Sequence, residues 1–199
     1  MKIEVLRTNP KLYSCRVYHV RGDWNSLSDV NTMIDVGTDG YVLQHISELS
    51  TGVGKKPVEQ VVLTHEHFDH TAGLKFIIEA YSPVVYSYAQ LKHTDIIIED
   101  DMIIKIGNEM CRLIHTPGHS HDSICVYCPD SKVLFAGDTS LNIKMPGGSF
   151  STRYVEVLEK LAALDISTIY SGHDEPFTQN ASDLIKFTLE NVKKSRIVD

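Results

Sequence analysis

Four side chains able to hold a metal ion fall within six residues: His65, His67, Asp69 and His70. They sit in the segment Thr64-His65-Glu66-His67-Phe68-Asp69-His70, directly after the apolar run 58–63. That run reads as a strand, so His65 and His67, two apart on extended chain, can point the same way. Asp69 and His70 follow where the chain turns towards a helix. Two neighbouring ligand sets are therefore geometrically reasonable. The same residue types recur at three more strand ends. His119 lies in Thr116-Pro117-Gly118-His119-Ser120, Asp138 in Ala136-Gly137-Asp138-Thr139, and His173 in Ser171-Gly172-His173. Glycine before each lets backbone approach a site closely. Strand ends are where sheets flanked by helices place their sites. A lone turn histidine is more often a surface residue. Seven nitrogen and oxygen donors at four strand ends make a metal centre, suited to zinc first and also to iron or manganese.

Other residues carry weaker signals. Asp35 lies in the apolar run 32–37 close to Gly37 and reads as a strand-end cap. His115 and His121 flank His119 in sequence and read more readily as core or solvent histidines than as partners of the site. His19, His45 and His93 have no ligand-like context. Lys144 and Arg153 could bind an anionic substrate group, but each reads equally as an exposed cation. The 144–149 stretch, with Pro146-Gly147-Gly148, suggests a mobile rim and substrate wall. Cys125 and Cys128 form a C-x-x-C within an alternating strand, where positions three apart face opposite ways. They read as plain strand cysteines; Cys15 and Cys111 complete the four.

The elements that must position these groups follow from periodicity. Strands are expected at 2–7, 14–20, 32–37, 58–63, 84–86, 103–106, 110–115, 123–127, 133–136 and 166–170. Helices are expected at 41–50, 71–80, 151–164 and 181–194, with a short one near Ala89. Strand pairs and helices alternate in two comparable halves. Each half ends a strand with an acid beside a glycine, Asp35 near Gly37 and Asp138 after Gly137. Two sheets packed face to face with helices outside is the simplest architecture, in one domain over 1–199.

Composition narrows the function classes. The 199 residues carry a formal net charge of −7 with no basic run, so no nucleic-acid or anionic-membrane partner is expected. No stretch approaches a membrane span, and the N-terminus lacks a signal-peptide core, so the chain reads as cytoplasmic. A small-molecule substrate is the expected partner; homodimerisation is left open.

In five ordered motifs the chain resembles the metallo-β-lactamase fold superfamily. They are Asp35 after a strand, the Thr64–His70 segment, Thr116–Ser120, Ala136–Thr139 and Ser171–His173. The resemblance implies a four-layer αββα sandwich of two mixed β-sheets with outer helices. It implies that His65, His67 and His119 hold one divalent ion, that Asp69, His70 and His173 hold a second, and that Asp138 bridges them. Asp35 would sit behind the ligands. Among subgroups the chain looks most like the glyoxalase II-like thioester hydrolases, through Thr64-His65-x-His67-x-Asp69-His70-Thr71-Ala72-Gly73. Two departures stand out. Ser140-Leu141-Asn142 follows Thr139 where that subgroup has Cys-Gly-Arg, and the sequence stops after one terminal helix where that subgroup carries a helical extension.

The implied chemistry is hydrolysis of a small thioester, ester or lactone by a hydroxide formed between two divalent metals. Asp69, both ligand and acid–base group, could relay a proton to the leaving group. The alternatives are a mononuclear iron persulfide dioxygenase using His65, His119 and Asp138, or a phosphodiesterase on the same centre. A binding scaffold with a degenerate site would lack ligands, and none is missing.

Overall fold

Alternation of apolar side chains on the strands fixes the layers. In β9 (Ile124–Cys128) and β10 (Val133–Gly137), Ile124, Val126, Cys128, Val133 and Phe135 face one way, and Cys125, Tyr127, Leu134 and Ala136 the other. Both sets are buried, so this sheet is covered on both faces. The computed structural model describes all residues from Met1 to Asp199. In chain order the elements before β9 are β1 (Lys2–Leu6), β2 (Val17–Arg21), β3 (Thr32–Ile34), α1 (Val42–Glu48), β4 (Gln60–Val62), α2 (Phe68–Thr71), α3 (Leu74–Tyr81), β5 (Val84–Ser87), β6 (Ile96–Ile97), β7 (Met102–Ile106) and β8 (Glu109–His115). After β10 come β11 (Ser149–Ser151), α4 (Thr152–Ala162), β12 (Thr168–Ser171), α5 (Ala181–Lys193) and β13 (Arg196–Val198).

One sheet runs β1-β2-β3-β4-β5-β6, antiparallel to β3 and parallel beyond it. The other runs β12-β10-β9-β8-β7, antiparallel apart from the β10–β12 pair. Three apolar clusters fill the three spaces of a four-layer sandwich. Tyr18, Ile34, Leu113, Val126 and Phe135 meet between the sheets. Val17, Met33, Val61 and Leu63 pack under α1 and α3 through Ile46, Leu74 and Ile77. Ile114, Cys125, Leu134 and Ile169 pack under α4 and α5 through Leu158, Leu161, Ile185 and Val192. No helix is long and apolar enough to cross a membrane.

Four expectations need correction. The stretch near Ala89 is a turn rather than a helix. There Ser87 Oγ donates to the Ala89 carbonyl, and Thr94 Oγ1 accepts from the Leu91 amide, so hydroxyls take up the groups a helix would pair. Cys128 is not a plain strand cysteine: it stands opposite Cys111 on the neighbouring strand β8 and the two form a disulfide, leaving Cys15 and Cys125 free and buried. The opposite-face reading of Cys125 and Cys128 agrees with the packing. The loop 144–149 is not a free rim, because β11 pairs with β13, the Gly147 amide donates to Ser195 Oγ, and the Gly148 carbonyl accepts from the Arg196 amide. As a substrate wall the loop is only partly placed: Lys144 to Gly148 do not line the large cavity beside the site, which Ser140, Leu141 and Asn142 border, whereas Ser149 lines a second cavity with Gly118, His119 and Tyr154.

Candidate metal centre

Parallel pairing of β3 with β4 sets the ends of both strands side by side, with Ile34 opposite Val62. Asp35 and Thr64 therefore meet. Asp35 adopts a left-handed backbone, φ 57°, which turns its carboxylate back across the strand end. Its Oδ1 accepts from the Thr64 amide and its Oδ2 from Thr64 Oγ1, each at 2.8 Å. Oδ2 also lies 2.8 Å from His70 Nδ1. A carboxylate can only accept, so His70 carries a proton on Nδ1, which leaves Nε2 as the atom that would face a cation. Thr64 Oγ1, having given its one hydrogen to Asp35, accepts from His65 Nδ1 at 3.1 Å. His65 likewise presents Nε2. One buried acid thus fixes the tautomer of a histidine in each ligand set.

The other donors arrive from separate elements. His67 precedes the one-turn helix α2, which carries Asp69 and His70; the Asp69 carbonyl accepts from the Cys15 amide and the His70 carbonyl from the Val36 amide. His119 lies in the turn between β8 and β9, where Ser120 Oγ bonds to Asp122. Asp138 and His173 follow the parallel neighbours β10 and β12. Gly172 is required here, since a Cβ would stand 2.1 Å from Asp138 Oδ1 and 3.0 Å from His70 Cε1.

The geometry brings all seven sequence-derived donors together. His65, His67 and His119 offer nitrogens within 4.8 Å of one another, and Asp69, His70 and His173 form a second such group. His119 Nε2 is 3.0 Å from His67 Nδ1. Asp138 stands between the sets: Oδ2 is 4.0 Å from His65 Nε2, 3.5 Å from His119 Nε2 and 3.4 Å from His173 Nε2, and Oδ1 is 3.4 Å from His70 Nε2. Asp69 Oδ2 lies 3.1 Å from His173 Nε2 and 3.6 Å from His70 Nε2.

Burial and charge show that the set fits divalent cations. His65 Nε2, His70 Nε2 and Asp138 Oδ1 are buried with no hydrogen-bond partner. Such atoms are rare unless something else satisfies them. Burial, with His70 nearby, holds His65 down to about 4, so its bare nitrogen is neutral near pH 7. Burial also works against a charge on His70, but Asp35 and Asp138 outweigh it and raise its affinity for a proton. Asp138 is lowered to about 2 despite its burial, through His70, His173 and His65. In the metal-free chain a proton on His70 neutralises converging carboxylates, and cations would take over that task.

The remaining groups lie apart. His115 stacks on Tyr88 with ring centroids 3.9 Å apart and bonds to the His121 carbonyl. Arg153 reaches His115 rather than the cluster. His19 is buried against the Pro57 carbonyl, and His45 accepts from the Arg7 amide. Tyr13, which sequence patterning does not single out, stacks on His173 at 5.1 Å. Burial and the Asp69 and Asp138 carboxylates raise its phenol above the usual value. A cavity of about 570 Å³ opens beside His119, Asp138 and His173. Its lining joins an apolar side, Leu141, Ile169, Phe177 and Leu184, to a polar one, Thr139, Ser140, Asn142 and Ser171, with the exposed Asp174 and Glu175 beside them and no lysine or arginine. Arg16, the cation behind His173, is paired with Glu175.

Two sheets enclosed by helices, with histidines and carboxylates gathered at four strand ends, define a class, and the comparisons agree. Residues 27–173 match the family model of the metallo-beta-lactamase superfamily, and the chain belongs to that superfamily. Among curated relatives, the hydroxyacylglutathione hydrolase of Francisella philomiragia is 37% identical over 125 residues, 59% of this chain and 50% of that protein. The chain spans about half the length, or less, of this relative and of the hydroxyacylglutathione hydrolases of Francisella tularensis subsp. novicida and Bartonella tribocorum. The BLEG-1 B3 metallo-beta-lactamase superposes with a TM-score of 0.70 at 20% identity, covering 95% of this chain and 97% of that one. ETHE1 from Myxococcus xanthus gives 0.69 at 18%, covering 96% and 88%. These two likenesses carry the fold.

Proposed function

We propose that the chain is a hydrolase of small thioesters, esters or lactones that works with two divalent cations, zinc by the character of its donors. The observation that carries this reading is the pair of ligand groups meeting at Asp138 beside a cavity large enough for a small acyl compound. His65, His67 and His119 would hold one ion, Asp69, His70 and His173 the other, and Asp138 would touch both. Bound there, the cations would supply a hydroxide nucleophile near neutral pH and polarise the substrate carbonyl.

The chain's own groups do the rest. Asp35 keeps His65 and His70 in the tautomers that leave Nε2 free. Leu141, Ile169, Phe177 and Leu184 receive the apolar part of the substrate and exclude water beside the reacting carbonyl. Asp69, placed 3.1 Å from His173 Nε2 and almost fully buried, can take the proton of the attacking oxygen once it has bonded to the carbonyl carbon and pass it to the thiolate or alkoxide that departs. A lining without lysine or arginine favours uncharged substrates over the anionic tripeptide glutathione. The similarity to hydroxyacylglutathione hydrolases supports thioester chemistry.

The test is metal analysis of the purified chain, followed by a panel of uncharged thioesters, esters and lactones, a glutathione thioester and a phosphodiester. Two ions per chain with turnover of uncharged acyl substrates is expected. One iron per chain with oxygen uptake would establish the dioxygenase alternative instead, and turnover of the phosphodiester alone would remove the acyl reading. Asp69→Asn that retains metal and full turnover would remove the proton relay.

A further inference from the structure

Tyr13 belongs to the loop between β1 and β2, far in sequence from every donor of the centre. Its ring lies nearly parallel to that of His173, with an interplanar angle of 18°, and its centroid is 6.4 Å from that of Phe68. Thr38 Oγ1 donates to the Tyr13 carbonyl at 2.6 Å and anchors the loop. The side chain is nonetheless 66% exposed, so the ring is not there to fill a core. The phenolic oxygen is 3.3 Å from His173 Nε2.

That nitrogen is the one facing Asp69 and Asp138, and so the one that would bind a cation. An imidazole nitrogen has a single lone pair, and ligation uses it. The ring of Tyr13 can stay stacked on His173, but its hydroxyl then loses its acceptor at the edge of the reacting position. Phe68 and the anchored loop keep the phenol beside the His173 nitrogen that faces Asp69 and Asp138, where a substrate oxygen held at the centre would displace water as its acceptor.

We propose that Tyr13 is a catalytic residue whose hydroxyl donates a hydrogen bond to the substrate carbonyl oxygen as that oxygen gains negative charge during hydrolysis. The inference rests on the hydrolase reading above. No proton changes hands: the phenol stays neutral, and its hydrogen bond strengthens as charge builds on the oxygen. Loss of one such donor lowers turnover by about 100–1,000-fold in enclosed sites, and the exposure of Tyr13 places the expected effect at about 10–100-fold.

The test uses the full chain loaded with metal, as wild type and as Tyr13→Phe, which keeps the stacked ring and removes only the hydroxyl. Three quantities are measured: kcat and KM on the uncharged ester or thioester best turned over by wild type, metal content with affinity by chelator competition, and calorimetric binding of a trifluoromethyl ketone carrying the same acyl group. The hydrate of that ketone mimics the tetrahedral oxyanion. The expected result is kcat/KM lower by about 10–100-fold, mostly in kcat, ketone affinity weaker by a similar factor, and metal affinity within twofold of wild type. Turnover and ketone affinity both within twofold would overturn the inference. So would loss of metal with unchanged turnover per bound ion, which would assign the hydroxyl to holding His173. A wild-type chain that binds metal and hydrolyses no acyl substrate would overturn the hydrolase reading itself, and this inference with it.

Discussion

Asp35→Asn should weaken both metal sites at once, although Asp35 belongs to neither ligand set. The substitution keeps the size of the side chain, and asparagine tolerates the left-handed backbone at φ 57°, so the strand end need not move. What changes is the hydrogen-bond logic. If the amide nitrogen takes the place of Oδ2, it donates towards Thr64 Oγ1 and His70 Nδ1, both 2.8 Å from that position. His70 must then accept at Nδ1 and carry its proton on Nε2, where the ion belongs. Thr64 Oγ1, now accepting, turns its hydrogen to His65 Nδ1, which moves that proton to Nε2 as well. If the amide flips, its nitrogen meets the Thr64 amide, donor against donor, in a buried place. An unmet buried donor costs about 1–3 kcal/mol.

Either branch penalises the ligating state by a similar amount, which corresponds to about a 10–100-fold fall in metal affinity. The assay is competition with a chromophoric chelator, read for both ions, beside a thermal melt of the metal-free protein. Asp35→Ala serves as the harsher control, since it adds backbone strain of about 1–2 kcal/mol. A melt lowered by the Asn variant with both affinities within twofold of wild type would refute the reasoning. Asp35 would then be a strand-end cap and nothing more.

Asp138→Asn should lower bound metal from two ions towards one per chain, because its carboxylate reaches both ligand sets, Oδ1 towards His70 and Oδ2 towards His65, His119 and His173; elemental analysis after dialysis reads this directly. His19 is fully buried and its proton affinity is lowered, chiefly by burial, so its neutral form is the folded one. The unfolded chain binds that proton near pH 6.5, so this stability is present above 6.5 and falls as pH drops below it, by up to about 1.4 kcal/mol per unit. Metal-free His19→Gln should show a smaller loss than wild type between pH 7.5 and 5.5 in denaturant titrations; equal losses would contradict the assignment. Thiol counting in denaturant without reductant should find two free cysteines, and reduction of the Cys111–Cys128 bond should lower stability by about 2–4 kcal/mol.

Much of the site was legible in the sequence because its donors sit where local patterns end. An apolar alternating run announces a strand, and a histidine or aspartate next to glycine just beyond it marks a strand end, which sheet pairing then gathers. Alternation alone also placed Cys125 and Cys128 on opposite faces. Features set by partners distant along the chain were not legible. The disulfide needs the register that puts Arg112 opposite Tyr127 and Leu113 opposite Val126, and spacing within either strand says nothing of it. The anchoring of Gly147 and Gly148 comes from residues 195 and 196, which lie just past the expected helix 181–194 and carry no signal of their own.

Tyr13 shows most clearly where such reading stops. A tyrosine in a polar stretch before a strand carries no periodic or motif signal, and its partner His173 lies 160 residues away. The link is made by Arg16, three residues on, whose amide donates to the Gly172 carbonyl and whose guanidinium reaches the His173 carbonyl. Those contacts tie the first loop to the last ligand strand and so set a phenol over an imidazole. Ligand identity in this centre is thus written locally, at strand ends. The groups that would face a substrate come from loops whose positions only the assembled sandwich determines, which is why the converging donors could be read before the wall of the cavity could.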